Sequence, residues 1–318
     1  MTGRRVEGQA VTEHAATGEA DTDLPTVAAV DGSAVSYRAA AWAAADATLH
    51  NSRLHLVTSA ALPPTSEPAG GPNDESLRRL QVDAGRVLEE ARRLARVAAS
   101  GEVLTISTEV TADPIIPHLI DRSRRSRIVA VGSRGRGALR RRLLGSVSSA
   151  LARHAHCPVA VVHSSSATDS ISASKPVLIG VDGSENSVPA IEFAFEEASR
   201  RKVGLVALHA WNDASAGLDA AIMGWDAIRG TEDAVLAESL AGYQERFPDV
   251  AVRRILAWDK PARALLDESD NAQLVVLGSH GRGGFAGMLL GSTSTALLQT
   301  VDCPIIVVRG PAKDAAGQ

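Results

Sequence analysis

Two tandem doubly wound α/β domains, Rossmann-like and each with a five-stranded parallel sheet, are predicted for this chain of 318 residues. Three observations predict them. A glycine pattern occurs twice: Gly132-Ser-Arg-Gly135, nine residues, then Gly145-Ser146, and again Gly278-Ser-His-Gly281, nine residues, then Gly291-Ser292. An Asp-Gly-Ser also recurs after an apolar run, at Asp31 and at Asp182, an offset of 151 residues against 146 for the glycine patterns. Finally, in each half short apolar runs alternate with stretches of helical period, and the runs are continuous, as in strands covered on both faces. Repetition on this scale outweighs any single-window assignment.

The elements follow in order. Residues 1–24 place Arg4 and Arg5 ahead of no apolar run, so they are read as a disordered tail and not as a secretory leader. The first domain covers 25–163. Its first strand runs from Thr26 into Asp31, and an alanine-rich helix over Ser36–Leu49 has Ser36 as its N-cap. A strand at Leu54–Ser59 precedes the loop 62–73, dense in Pro, Gly and Ser, which is assigned the net insertion of five residues (151 less 146). A helix over Ser76–Ala99 places Leu77, Leu80, Ala84, Val87, Leu88, Ala91, Leu94 and Ala95 near helical spacing. A strand at Val103–Val110, a short helix near 115–125, the strand Ile128–Val131, a helix ending near His154 and a strand at Pro158–Val162 complete the domain. A polar linker, 164–175, leads to the second domain, 176–310. There the same elements are expected from Pro176 to Val181, Ser187 (as N-cap) to Arg200, Val203 to Trp211, about Glu232 to Arg246, Ala251 to Ala257, 261–270, Leu274 to Leu277, 292–300 and Pro304 to Val308. Residues 311–318 are read as a loose tail.

Composition narrows the function classes. The net charge of −4 argues against a general polyanion binder, and only 3% of residues are aromatic, so the cores are built from Ala, Val, Leu and Ile. The two cysteines, Cys157 and Cys303, each precede a proline and an apolar run, and read as buried strand-start residues, not as a disulfide. Such sparse cysteine fits a reducing cytosol, so a cytoplasmic location is expected. Nowhere is there a run of about 18 apolar residues, so no membrane span is expected.

Each glycine pattern lies between an apolar strand and a helix start. Glycines let backbone approach a ligand closely, and N–H groups at a helix N-terminus face an anion, so the two turns suit phosphate. No Gly-Lys-Ser/Thr follows, which separates them from the P-loop, and no G-x-G-x-x-G follows the first strand, which separates them from the dinucleotide fingerprint. In open α/β sheets ligands bind outside the carboxyl ends of the strands at the switch point, where Asp31 and Gly132 both fall. The arginines at 134, 136, 140–142 and at 122, 124, 125 and 127 are read as a solvated face with extra phosphate contacts; nucleic acid is disfavoured because no aromatics are interleaved. His154-Ala-His156-Cys157 has only Thr300-Val-Asp302-Cys303 as its counterpart, so it is read as structural, and no metal is assigned to protein side chains. Asp113 and Asp259 suit turns or caps as well as water activation, no nucleophilic triad or H-E-x-x-H occurs, and no catalytic residue is assigned.

These motifs resemble the universal stress proteins, of the tandem two-domain kind found in actinobacteria, over residues 25–310. The carriers are Val30-Asp-Gly-Ser, Gly132-Ser-Arg-Gly-Arg-Gly137, Leu143-Leu-Gly-Ser-Val-Ser148 and Cys157-Pro-Val-Ala-Val-Val162, with partners Val181-Asp-Gly-Ser, Gly278-Ser-His-Gly-Arg-Gly283, Leu289-Leu-Gly-Ser-Thr-Ser294 and Cys303-Pro-Ile-Ile-Val-Val308. The resemblance implies ATP, with Mg²⁺, because an intact glycine motif marks the ATP-binding members. By position it implies that Asp31 and Asp182 contact the ribose or adenine edge and that backbone at Ala29 and Gly180 lines the adenosine pocket. It implies that Gly132, Gly135, Gly278 and Gly281 let the chain wrap the ribose and phosphates, and that Ser146, Ser148, Ser292 and Ser294 bind phosphate oxygens. Ser133, Arg134, Arg136, Gly137, Gly145, Val147, Ser279, His280, Arg282, Gly283, Gly291 and Thr293 complete the implied ATP-binding set. At the end of the second strand the family often has His-Val; this chain has Thr58-Ser59 in the first half and His209-Ala210 in the second. The resemblance further implies a role in stress or growth control, terminal strands of the halves facing each other about a pseudo-twofold, a homodimer and an unidentified protein partner. Slow ATP hydrolysis or phosphate transfer, a nucleotide-independent interaction module and a flavin-binding relative of the fold are the alternatives.

Overall fold

The computed structural model describes residues 24–61, 74–135, 144–166, 170–211, 225–282 and 289–310. Both tails (beyond Leu24 and Gly310), the loop 62–73, and Arg136, Gly137, Arg140, Arg141, Arg142 and Gly283 lie outside the described residues.

The first half runs β1 (Thr26–Ala29), α1 (Ala34–Leu49), β2 (Leu54–Ser59), α2 (Asp74–Ala98), β3 (Ile106–Thr111), α3 (Ile115–Arg122), β4 (Ile128–Gly132), α4 (Ser146–His154) and β5 (Val159–Val162). One helical turn, α5 (Ser170–Ala173), lies in the stretch expected as linker. The second half repeats the plan: β6 (Val177–Gly180), α6 (Val188–Arg201), β7 (Leu205–Ala210), α7 (Trp225–Ser239), α8 (Tyr243–Arg246), β8 (Val252–Ala257), α9 (Pro261–Ser269), β9 (Leu274–Gly278), α10 (Ser292–Thr300) and β10 (Ile305–Val308).

All ten strands form one sheet, ordered β3-β2-β1-β4-β5-β10-β9-β6-β7-β8. Within each half the pairing is parallel, and the halves join where β5 and β10 run antiparallel, Ala160 opposite Ile306. The strand order reverses between β1 and β4 and again between β6 and β9, which sets two switch points on carboxyl edges.

Side chains alternate across the sheet, so each strand feeds two cores: Ala28, Ile128 and Ala130 face α1, α2 and α6, while Val27, Val129 and Val131 face α3 and α4. Alanines 39, 40, 43, 44 and 47 are fully buried, and their small side chains let α1 sit close between the sheet and α2. The continuous-apolar expectation fails at the edge strands. In β3 Ser107 and Val110 are exposed, and in β8 Arg253 and Arg254 are. An edge strand has a neighbour on one side only, and its charges discourage pairing with another chain.

Three local expectations need correction. Ser33, not Ser36, caps α1: its Oγ accepts the Ser36 N–H at 3.2 Å, and Ser36 lies buried within the first turn. Ser187 stands at the N-cap of α6 but its hydroxyl donates to the Ser184 carbonyl at 2.8 Å, because a 3₁₀ turn, Glu185–Ser187, leads into the helix. The helix expected over 232–246 is two helices, parted where Gly242 takes φ 81°.

Above the β5/β10 junction lies a buried charge cluster. Asp46 and Glu197 occupy equivalent places on α1 and α6, and both are almost fully buried. Arg127 bonds Asp46, and Arg201 lies 2.9 Å from Glu197 and 3.6 Å from Asp46. His50 bridges the halves, with Nε2 3.1 Å from Glu197. Burial alone would raise the Glu197 carboxyl, but Arg201, His50 and Arg127 outweigh it and hold it at about 2, while burial pushes the Arg127 guanidinium down to about 10.

Candidate functional site

At each switch point an Asp-Gly-Ser turn meets a glycine turn. Gly32 and Gly183 take φ 83° and 75°, which turn the chain sharply after the first strand of each half. The Asp31 Oδ1 accepts the Ser33 N–H at 3.0 Å, and the Asp182 Oδ1 accepts the Ser184 N–H at 2.9 Å and its hydroxyl at 2.7 Å. The other carboxylate oxygen lies against the glycine turn: a Cβ on Gly135 or Gly281 would come within 2.5 Å of Oδ2 of Asp31 or Asp182. In the second half this oxygen accepts the Arg282 N–H at 2.6 Å. Asp182 thus ties the two turns together, Asp31 lies as close to Gly135 in the first half, and each second glycine is needed for that approach.

The glycine turns close in the same way. Gly145 N–H donates to the Ser133 carbonyl at 2.8 Å, and Gly291 N–H to the Ser279 carbonyl at 2.7 Å. Gly132 is hemmed by Val35 and Ser36, and Gly278 by the Asn186 and His280 carbonyls, each within 3.2 Å of an added Cβ. The Ser148 hydroxyl donates to the Gly145 carbonyl at 3.1 Å and the Ser294 hydroxyl to the Gly278 carbonyl at 2.8 Å, so both serines are buried beneath the turns as struts. Ser133 Oγ is buried and has no partner among the described residues, and Ser279 Oγ is 3.0 Å from His280 Nδ1.

Helices α4 and α10 begin on glycine N-caps with no side-chain cap, φ/ψ −67°/158° and −67°/156°. The first backbone donors to bond back are Ser149, to Gly145, and Thr295, to Gly291. The N–H groups of Ser146, Val147 and Ser148, and of Ser292, Thr293 and Ser294, therefore have no intrahelical acceptor, and the positive end of each dipole points at the switch point. Ser146 and Ser292 are exposed there. Chemically, each helix N-terminus can seat an anion beside a carboxylate.

The structure brings Asp31 to Gly135, and Asp182 to Gly281 and Arg282. Ala29 and Gly180 end the central strands; Gly180 lacks a side chain where Leu265 and Leu277 crowd in, a Cβ there meeting Leu277 at 2.8 Å. His209 is buried, its Nδ1–H donating to the Val181 carbonyl at 2.7 Å with Nε2 2.7 Å from Glu232 Oε2. Glu232 also lies 3.7 Å from Arg282, which links helix α7 to the glycine turn. Sequence reasoning missed Glu232: it stands in no motif, and only the fold brings α7 over the site. Asp259 is a turn residue, its Oδ1 accepting the Lys260 N–H at 2.7 Å. Burial pushes the Cys157 and Cys303 thiols up to about 12, which leaves both inert as nucleophiles.

Fold and site together define a class: a tandem doubly wound α/β protein with an Asp-Gly-Ser turn, a glycine turn and a glycine-capped helix at each of two switch points. The model of the universal stress protein family matches residues 25–163 and 173–309. The chain belongs to that family. It is 45% identical over 294 residues to universal stress protein Rv2005c of Mycobacterium tuberculosis, covering 89% of this chain and 96% of that one. To universal stress protein Rv2623 of the same organism it is 41% identical over 295 residues, 91% and 97% of the two chains. A universal stress protein crystal structure from Archaeoglobus fulgidus shares the fold at TM-score 0.65 and 21% identity, covering 91% of this chain and 99% of that one. No helix among the described residues is long and apolar enough to cross a membrane.

Proposed function

We propose that this chain is an ATP-binding regulatory protein of stress or growth control, in which occupancy of two sites shifts conformation or association. One observation carries the reading: the same constellation is built twice, an aspartate against a glycine turn and a glycine-capped helix whose amides face the switch point. Such amides suit the phosphates, with Mg²⁺ offsetting part of their charge. The aspartates would meet the sugar or base, and the buried Ser133 hydroxyl, without a partner among the described residues, offers a further polar contact in the first half. A nucleotide that binds one state better than another shifts the equilibrium by that difference alone.

The test uses Ser146→Asp together with Ser292→Asp. Both positions are exposed at helix N-termini, where a carboxylate stabilises the free helix by about 0.3–1 kcal/mol. The variant therefore folds, yet sets negative charge in both phosphate seats. Wild type should gain thermal stability from ATP–Mg²⁺ by mass action, about 2.7 kcal/mol at a hundred times Kd. The double variant should keep its own melting temperature and lose that gain. Equal gains in both proteins, or none in wild type at millimolar ATP, would remove the nucleotide reading.

A further inference from the structure

The two sites differ where the base of a nucleotide would lie. Beyond β7 and β8 the second half carries Trp211 and Trp258, ring centroids 5.8 Å apart and edge to face. His209 stacks on Trp211 at 6.3 Å and reaches the carbonyl of Val181, the residue before Asp182. An aromatic row thus runs along the carboxyl edge from the anion seat outward. Trp258 is 44% exposed, in a chain with only four tryptophans. The Trp211 indole N–H is buried with no partner among the described residues.

The first half is built otherwise at the same register. Ala60 N–H bonds the Thr111 carbonyl as Trp211 N–H bonds the Ala257 carbonyl, so Ala60 stands for Trp211 and Ala112 for Trp258. Thr58 stands for His209. Neither ring face nor indole donor is present at those three positions.

We infer that Trp211 and Trp258 form a stacking subsite for a planar heteroaromatic ring bearing a hydrogen-bond acceptor, the base of a purine nucleotide, and that it exists in the second half only. The part-exposed Trp258 ring offers stacking area, and the Trp211 indole N–H, without a partner among the described residues, offers a donor that an apolar occupant would leave unsatisfied. The first site then holds a nucleotide by its phosphates and sugar with no stacked base. This inference rests on the nucleotide reading above.

The experiment is calorimetric titration of the full chain with ATP–Mg²⁺ and, separately, with inorganic tripolyphosphate–Mg²⁺, for wild type, Trp258→Ala and Trp211→Phe. Base–aromatic stacking weakens by about fivefold to a hundredfold when the ring is removed. Wild type should gain affinity for ATP over tripolyphosphate at one site only, while the extra arginines of the first half favour tripolyphosphate there. Trp258→Ala should weaken ATP at the second-half site by that factor and leave tripolyphosphate unchanged. Trp211→Phe, which keeps a ring and deletes the donor, should give a smaller loss confined to ATP. Unchanged ATP binding in both variants, or parallel losses for ATP and tripolyphosphate, would overturn the subsite while leaving the nucleotide reading standing. Failure of wild type to bind ATP at all would overturn both.

Discussion

The anion seats and the charge cluster above the seam are both built from equivalent residues of the two halves, yet the equivalence is used in opposite ways. At the switch points the same residues recur, Asp31 with Asp182 and Gly135 with Gly281, because each half builds the same local turn from its own residues. At the seam the two copies meet each other. Asp46 and Glu197 bring two carboxylates to one buried place, and repetition alone would leave them repelling. The halves have therefore diverged around them: His50 in one half stands where Arg201 stands in the other, and Arg127 where the second half has Gln273. A repeated local turn keeps its residues, whereas a contact across the axis needs complements.

The sharpest break is Asp46→Ala, which strands Arg127 and Arg201 around a lost partner. Removing one member of a buried ion cluster costs about 3–5 kcal/mol, and denaturant unfolding at neutral pH should show it. The converse change replaces all four ions by apolar residues of similar volume (Asp46→Leu, Glu197→Leu, Arg127→Met, Arg201→Met). It should be neutral or should stabilise by about 1–4 kcal/mol in the same assay, so the cluster is read as fixing how the halves meet rather than as a net source of stability. Acid sharpens the point further. Glu197 is held at about 2 against an ordinary value of 4.5, so its contribution is present above about 4.5 and is lost as pH falls toward 2. Glu197→Gln should flatten that part of the stability–pH profile by tenfold or more in the unfolding equilibrium. The smallest effect belongs to the seats: Gly135→Ala and Gly281→Ala each press a methyl on an aspartate oxygen and should cost on the order of 1 kcal/mol, equally in the two halves. Unequal costs would mean that the two turns are not the same device.

Much of this was legible in the residues. The duplicated Asp-Gly-Ser and glycine turns located both switch points, since turn chemistry is local and glycine leaves few alternatives. The parallel pairing within each half followed from the alternation of strand and helix, whereas the strand order did not. The capping of α1 was misplaced by one turn because Ser33 and Ser36 are both good caps, and only the backbone geometry at Ser33 decides between them. The charge cluster was not legible: Asp46, His50, Arg127, Glu197 and Arg201 are spread over more than 150 positions and join only when β5 meets β10. Likewise Glu232, on a helix with no motif, reaches His209 and Arg282 only through the packing of α7.

The antiparallel junction of β5 with β10 lies within a single polypeptide. Two separate copies would face dilution, and every inherited change would appear on both sides of the axis at once. Here the partner is tethered, so its local concentration is fixed however little protein is present. Each substitution also enters the molecule once. One half is thereby free to drift toward a new ligand while the other keeps the old one.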